Sequence, residues 1–362
     1  MVVSNLKIVD GDGHVMEDKS AIINLMPSPY REKYRLTDPF PPLDHLHSAN
    51  LHDLPPGSFQ QVGPDGWLDF MQDVGIAATV LYPTLGLSYG KVVSRDWAID
   101  LARAYNDWLY QTYVKRSSRF KGMALIPLQE PEAAVEELRR AVQDLGMCGA
   151  MLPSTGIQLQ LAHKFYWPIY AEANRLGCCL GVHGGAHESL GMDGLNPYAP
   201  VHALGHPFGQ MISFAGIVFN GICDKFPSVR IGFLEGGVAW LLMCLERFDR
   251  SYETHIQYDP RGEFLQLRDG ERVSDYAIRQ IKAGRIYVGC EGSEPDLPHA
   301  VKRVGNGPFI YSSDYPHEVN NESCKKEIRE VLENHGLTAK DKEAVLHRNA
   351  ERFYKLAPTA GS

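Results

Sequence analysis

Eight short β-rich runs alternate with helical patterns along nearly the whole chain, at residues 6–10, 79–83, 120–126, 149–152, 178–183, 230–235, 285–290 and 309–314. Most are continuous apolar stretches rather than strict alternations, which is the pattern of strands covered on both faces of a parallel sheet. Helical spacing fills the gaps. Residues 97–115 repeat Leu101, Tyr105, Trp108 and Leu109 near a period of 3.6. Residues 131–145 open on Pro131 and stop before Gly146, and 165–176 stop before Gly177. Residues 338–356 open on Thr338-Ala339-Lys340-Asp341, a capping-box pattern. Eight β-then-α units are the count of a closed (β/α)₈ barrel, whereas open doubly wound sheets more often have five to seven strands. No glycine-rich phosphate loop follows the first run, which argues against nucleotide binding.

The 362 residues show no composition break, internal repeat or low-complexity tract, so one barrel domain over 1–362 is expected. Three connections exceed plain links: 15–78, 184–210 and 250–280. Long ordered loops in a compact domain are usually lids or binding loops.

A formal net charge of -8 disfavours nucleic acid as the main partner, because phosphate binding needs clustered Lys and Arg. No run of about 18 apolar residues occurs, so no membrane span is expected. The N-terminus lacks a basic start and a long apolar run. Seven cysteines with no paired spacing fit reduced thiols, and a cytoplasmic setting is expected.

The strongest local signal is Asp10-Gly11-Asp12-Gly13-His14 at the end of the first run. Residues i and i+2 on a strand share a face, so Asp12 and His14 can chelate one ion together. His183 closes the fifth run before Gly184-Gly185, and Asp314 closes the eighth in Ser312-Ser313-Asp314-Tyr315-Pro316-His317. All four fall at C-terminal strand ends, where barrel enzymes build their sites. Burying such groups is costly unless they are paired or bound to a metal. Two His nitrogens and two carboxylate oxygens fit Zn²⁺ best and Mn²⁺ next. One ion is expected, since the fourth run ends Met151-Leu152-Pro153 with no lysine to bridge a second.

These residues together resemble the amidohydrolase superfamily. The fit is best to the branch of aminocarboxymuconate-semialdehyde decarboxylase and the resorcylate-type decarboxylases, over about residues 6–356. The resemblance implies that Asp12, His14, His183 and Asp314 bind the metal, that Asp314 is also the acid/base, and that a homodimer is a family-level expectation. One position departs. The family commonly ends its sixth strand in a His, whereas this chain has Phe233-Leu234-Glu235-Gly236-Gly237. An ionised Glu accepts but does not donate hydrogen bonds. Glu235 is thus read either as acting directly or as orienting a ligand His. His206 is a candidate replacement from the loop after strand five. His317 is expected to brace the strand-eight loop, and Trp67, Phe70 and Tyr89 are candidates to line a small-molecule pocket.

With the sixth-strand His missing, the leading expectation is metal-assisted hydrolysis of a carboxyl derivative or small aromatic substrate. Asp314 would move the proton, with Glu235 or His206 placing water or oxyanion. The alternative is non-oxidative decarboxylation of an aromatic or dienoic acid at the same site. A barrel that binds a small ligand without turnover is the third reading.

Overall fold

The computed structural model describes residues 6–33, 38–43, 54, 56–195, 197–255 and 258–356. The eight expected strands are present in one parallel sheet, in the order β1 to β8. They are β1 (Val9–Val15), β2 (Ala78–Pro83), β3 (Phe120–Ala124), β4 (Gly149–Pro153), β5 (Cys179–His183), β6 (Arg230–Phe233), β7 (Ile286–Cys290) and β8 (Phe309–Tyr311). Nearly every strand residue is buried, as the continuous apolar runs require. The chain returns to its start through two backbone hydrogen bonds beyond β8. His14 N–H donates to Tyr315 O (2.7 Å) and Asp314 N–H to Asp12 O (2.9 Å). The fold is a (β/α)₈ barrel.

Helices cover the sheet much as the periodicity predicts. The helix α1 (Arg95–Leu109) runs on into a wider turn at Tyr110–Val114, α2 (Pro131–Gln143) starts with its proline in the first turn, and α3 (Trp167–Leu176) ends at Gly177. The Thr338–Asp341 capping box forms as expected. The last helix is tied to the barrel wall where Tyr354 Oη donates to Gly11 O (2.6 Å). All seven cysteines are unpaired thiols. No helix among the described residues is long and apolar enough to cross a membrane.

Two features differ from the sequence expectation. The segment expected as a loop over 184–210 contains the start of a 22-residue helix, α4 (Tyr198–Phe219). Its interior Pro207 and several glycines carry low helix propensity, and tertiary packing overrides them. The site-bearing ends of β6 and β8 also differ: the strands stop at Phe233 and Tyr311, so Glu235 and Asp314 lie two and three residues beyond. Both adopt left-handed backbone, with φ of 60° and 55°.

Candidate metal centre

β1 carries three polar residues with two jobs, because the register break between Asp10 and Gly13 puts Asp10 on the face of Gly13 and away from His14. Asp10 turns into a buried network. Its Oδ2 accepts from Thr79 Oγ1 (2.6 Å) and Ser313 Oγ (2.9 Å), and its Oδ1 accepts from Ser313 N–H (2.9 Å) and Asp12 N–H (3.2 Å). Burial pushes the Asp10 carboxyl up to about 6, against the pull of these hydrogen bonds. This residue escaped the sequence analysis. It fastens β1 to the segment after β8, and thereby sets the spacing between Asp12 and Asp314.

Asp12, His14 and His183 come together, and His14 also meets Asp314. Asp12 Oδ1 lies 3.6 Å from His14 Nε2 and 3.3 Å from His183 Nε2, and Asp314 Oδ1 lies 3.2 Å from His14 Nε2. All four atoms are buried, and none has a hydrogen-bond partner of acceptable geometry. A buried polar atom left unsatisfied costs about 1–3 kcal/mol, so four such atoms linked through His14 are costly unless they share a partner. The other imidazole nitrogens are spoken for. His14 Nδ1 faces Pro83 O at 2.8 Å, and His183 Nδ1 faces Gly184 O at 3.1 Å. Carbonyl acceptors require Nδ1 to carry the proton, which leaves both Nε2 lone pairs directed at Asp12. Burial and nearby His317 also lower the His14 pKa, favouring the neutral imidazole that donates a lone pair. The donor set fits one divalent cation, and the protein has a site for one.

Asp314 is placed by its turn. The N–H of Asp314 donates to Asp12 O, and its carbonyl accepts from His317 N–H (2.9 Å). Holding a non-glycine residue in the left-handed region costs on the order of 1–3 kcal/mol, and here those two bonds hold it. Its Oδ1 is also 2.9 Å from His317 Nδ1. Burial alone would raise the Asp314 pKa, but the charge of His317 beside it holds it well below the carboxylate range. His317 was expected only as a brace. It does brace, through Thr84 Oγ1 at 2.9 Å. It also stacks on His14 at 4.0 Å between ring centroids and belongs to a second converging set, His14, Asp314 and His317.

Glu235 and His206 meet. Glu235 Oε2 lies 3.2 Å from both His183 Nδ1 and His206 Nδ1. Burial and the Asp314 charge push Glu235 well above the carboxylate range, while burial and the neighbouring His187 and His202 lower His206 far below the usual imidazole value. Glu235 Oε2 and His206 Nδ1 are both buried without a hydrogen-bond partner of acceptable geometry, so the two groups approach closely without being bonded. The close approach depends on Gly184: a Cβ there would collide with His206 Nδ1 and sit 2.6 Å from Glu235 Oε2. Gly184→Ala is therefore expected to destabilise the protein by about 1–3 kcal/mol through overpacking. It should also displace the pair, seen as a lower thermal midpoint together with lower turnover. An unchanged midpoint would contradict this packing.

A cavity of about 360 Å³ opens over His206, Glu235 and His317. Phe40, Pro41, Leu43, Phe59 and Leu87 supply its apolar wall, largely from the long insertion after β1. Its volume and mixed lining suit a small organic ligand. Trp67, Phe70 and Tyr89, pocket candidates whose type more often marks core, are core. Trp67 Nε1 donates to His14 O (3.1 Å), Phe70 stacks on Tyr315 at 3.6 Å, and Tyr89 Oη donates to Ala98 O (2.6 Å).

Residues 9–356 match the amidohydrolase family, and the chain belongs to it. It is a catalytic, metal-associated barrel of that family. Among curated relatives, it is 44% identical over 286 residues to the γ-resorcylate decarboxylase of Rhizobium radiobacter, covering 73% of this chain and 79% of the relative. It is 27% identical over 276 residues to the 2-amino-3-carboxymuconate-6-semialdehyde decarboxylase of Dictyostelium discoideum, covering 76% and 72%. Among solved structures, the dihydroxybenzoic acid decarboxylase of Polaromonas, with bound manganese and the inhibitor 2-nitroresorcinol, superposes with a TM-score of 0.66. It is 19% identical and 97% of each chain is covered.

Proposed function

We propose that this protein is a metal-dependent carboxy-lyase that removes the carboxyl group of a small aromatic acid without oxidation, with Asp12, His14, His183 and Asp314 as the metal ligands. The observation that carries the reading is the set of unpartnered Asp12, His14, His183 and Asp314 atoms beside His317, next to a cavity with an apolar wall and polar groups. The relatives' activities weight it the same way: the curated matches are named as decarboxylases of aromatic or dienoic acids. Decarboxylation, the alternative from the sequence, thereby displaces hydrolysis as the leading reading. The metal order reverses as well. Mn²⁺ now precedes Zn²⁺, because the related structure holds manganese and two carboxylate oxygens suit it.

Held by Asp12, His14, His183 and Asp314, a divalent cation would supply positive charge toward an acidic substrate. The chain's own residues do the rest. The Phe40 and Phe59 wall keeps the ring in an apolar space and excludes water. Asp314, ionised at rest, passes a proton from His317 Nδ1 to the ring carbon that bears the carboxylate. The bond between that carbon and the carboxylate then breaks, its electron pair stays on the ring, and CO₂ leaves. One proton is consumed for each CO₂ released. Glu235 and His206 hold His183 in place and line the cavity floor.

The test is to supply Mn²⁺-loaded protein with hydroxylated benzoic acids in D₂O. CO₂ release with one deuterium at the vacated carbon is expected. Hydrolysed product, with solvent oxygen incorporated and no CO₂, would return the hydrolase reading.

A further inference from the structure

The turn that carries Glu235 is held from outside its own strand. After Leu234, whose N–H donates to Val182 O (2.9 Å), the chain passes through Glu235 and Gly237 in left-handed backbone, φ 60° and 67°. It then enters the 16-residue helix α5 (Ala239–Thr254). That helix has no side-chain cap of its own. Its first free donor, Val238 N–H, is taken by Glu294 Oε2 at 2.6 Å, and Glu294 Oε1 accepts Glu291 N–H at 2.8 Å. A carboxylate at a helix N-terminus satisfies an orphan N–H and favours the helix dipole. Here it comes from the loop after β7, about sixty residues downstream in the sequence. The fit is close: a Cβ on Gly237 would sit 3.2 Å from Glu294 Oε2. Glu294 and Glu235 also line one narrow crevice with Asp12 and Asp314.

The geometry points to Glu294 as a positioning residue that clamps the β6 turn so that Glu235 faces His183 and His206. Glu294 touches none of the metal-site atoms itself. It acts through Val238 and the turn, and so sets how firmly Glu235 holds the His183 ring. Groups that orient a ligand His typically change metal affinity ~10- to 100-fold when removed. The inference rests on the metal-site reading above.

The test is Mn²⁺ titration of the full chain and of Glu294→Gln, Glu235→Gln and the double variant, well below their unfolding temperatures. Glu294→Gln keeps the volume and one acceptor oxygen, so the fold should persist. Its Mn²⁺ affinity is expected to fall roughly 10-fold, and the double variant should be little worse than Glu235→Gln alone. A purely structural role would lower the melting point without moving Mn²⁺ affinity. Unchanged affinity, losses that multiply in the double variant, or unfolding of Glu294→Gln would each overturn the inference. If the unaltered chain binds no Mn²⁺, the metal reading falls and takes the inference with it. If it binds Mn²⁺ and Glu294→Gln binds equally well, only the inference falls.

Discussion

Asp314→Asn should lower turnover by about 10³-fold or more, within the range that removing a general acid commonly produces. Asn cannot carry the proton that His317 Nδ1 offers across 2.9 Å, and it brings no negative charge to the spot it shares with His14 Nε2. Metal affinity should fall too, so the decisive measurement is CO₂ release at saturating Mn²⁺. With the ion restored by mass action, the residual defect reports proton transfer alone. Retention of a tenth or more of normal turnover under those conditions would remove Asp314 from that step. The fold should survive, because the turn is held by backbone hydrogen bonds from Asp314 N–H and to its carbonyl, and the substitution alters neither.

Asp10→Ala should cause the largest loss of stability of any single change at this end of the barrel. The substitution strands Thr79 Oγ1, Ser313 Oγ and the N–H groups of Ser313 and Asp12 in a fully buried space. Unsatisfied donors at ~1 kcal/mol or more each sum to about 3–5 kcal/mol. Removing the carboxylate also relieves the cost of burying it, which is why the sum is not larger. Asp10→Asn, which keeps one acceptor oxygen, should lose distinctly less. Denaturant midpoints of the two variants order them directly. Equal stability of Asp10→Ala and the unaltered chain would show that the network contributes nothing. Mn²⁺ affinity should drop in parallel, because the same carboxylate sets Asp12 against Asp314.

Much of the framework was legible because burial on both faces leaves a plain mark: eight continuous apolar runs became eight strands in sequential order. His183 was placed for the same reason, since it is the polar residue on which an apolar run stops. Elsewhere the pattern carried less information. The spacing to His14 marks Asp12 as a ligand, but it gives Asp10, two residues earlier, no role. Only the register break and the hydroxyls of Thr79 and Ser313 separate a fastening from a ligand. Glu235 and Asp314 were expected as strand ends, but the left-handed turns that aim them are rare for such residues and have no compositional signature. Aromatic type could not tell a pocket wall from a core filler, so Trp67 and Phe59 were distinguished only by packing. His317 was undervalued because a residue three beyond Asp314 reads as loop until the turn folds it back. Glu294 had no local signal at all, since its partners lie in a different βα unit.

The meeting of Glu235 with His206 limits what position 184 can hold. The family resemblance implies one imidazole delivered by the sixth strand, whereas this chain delivers one from α4 and sets a carboxyl beneath it. Both arrangements fill the same small volume above Gly184. In this chain His206 and Glu235 together use up that volume, so a larger side chain at position 184 has room only if the imidazole or the carboxyl gives way.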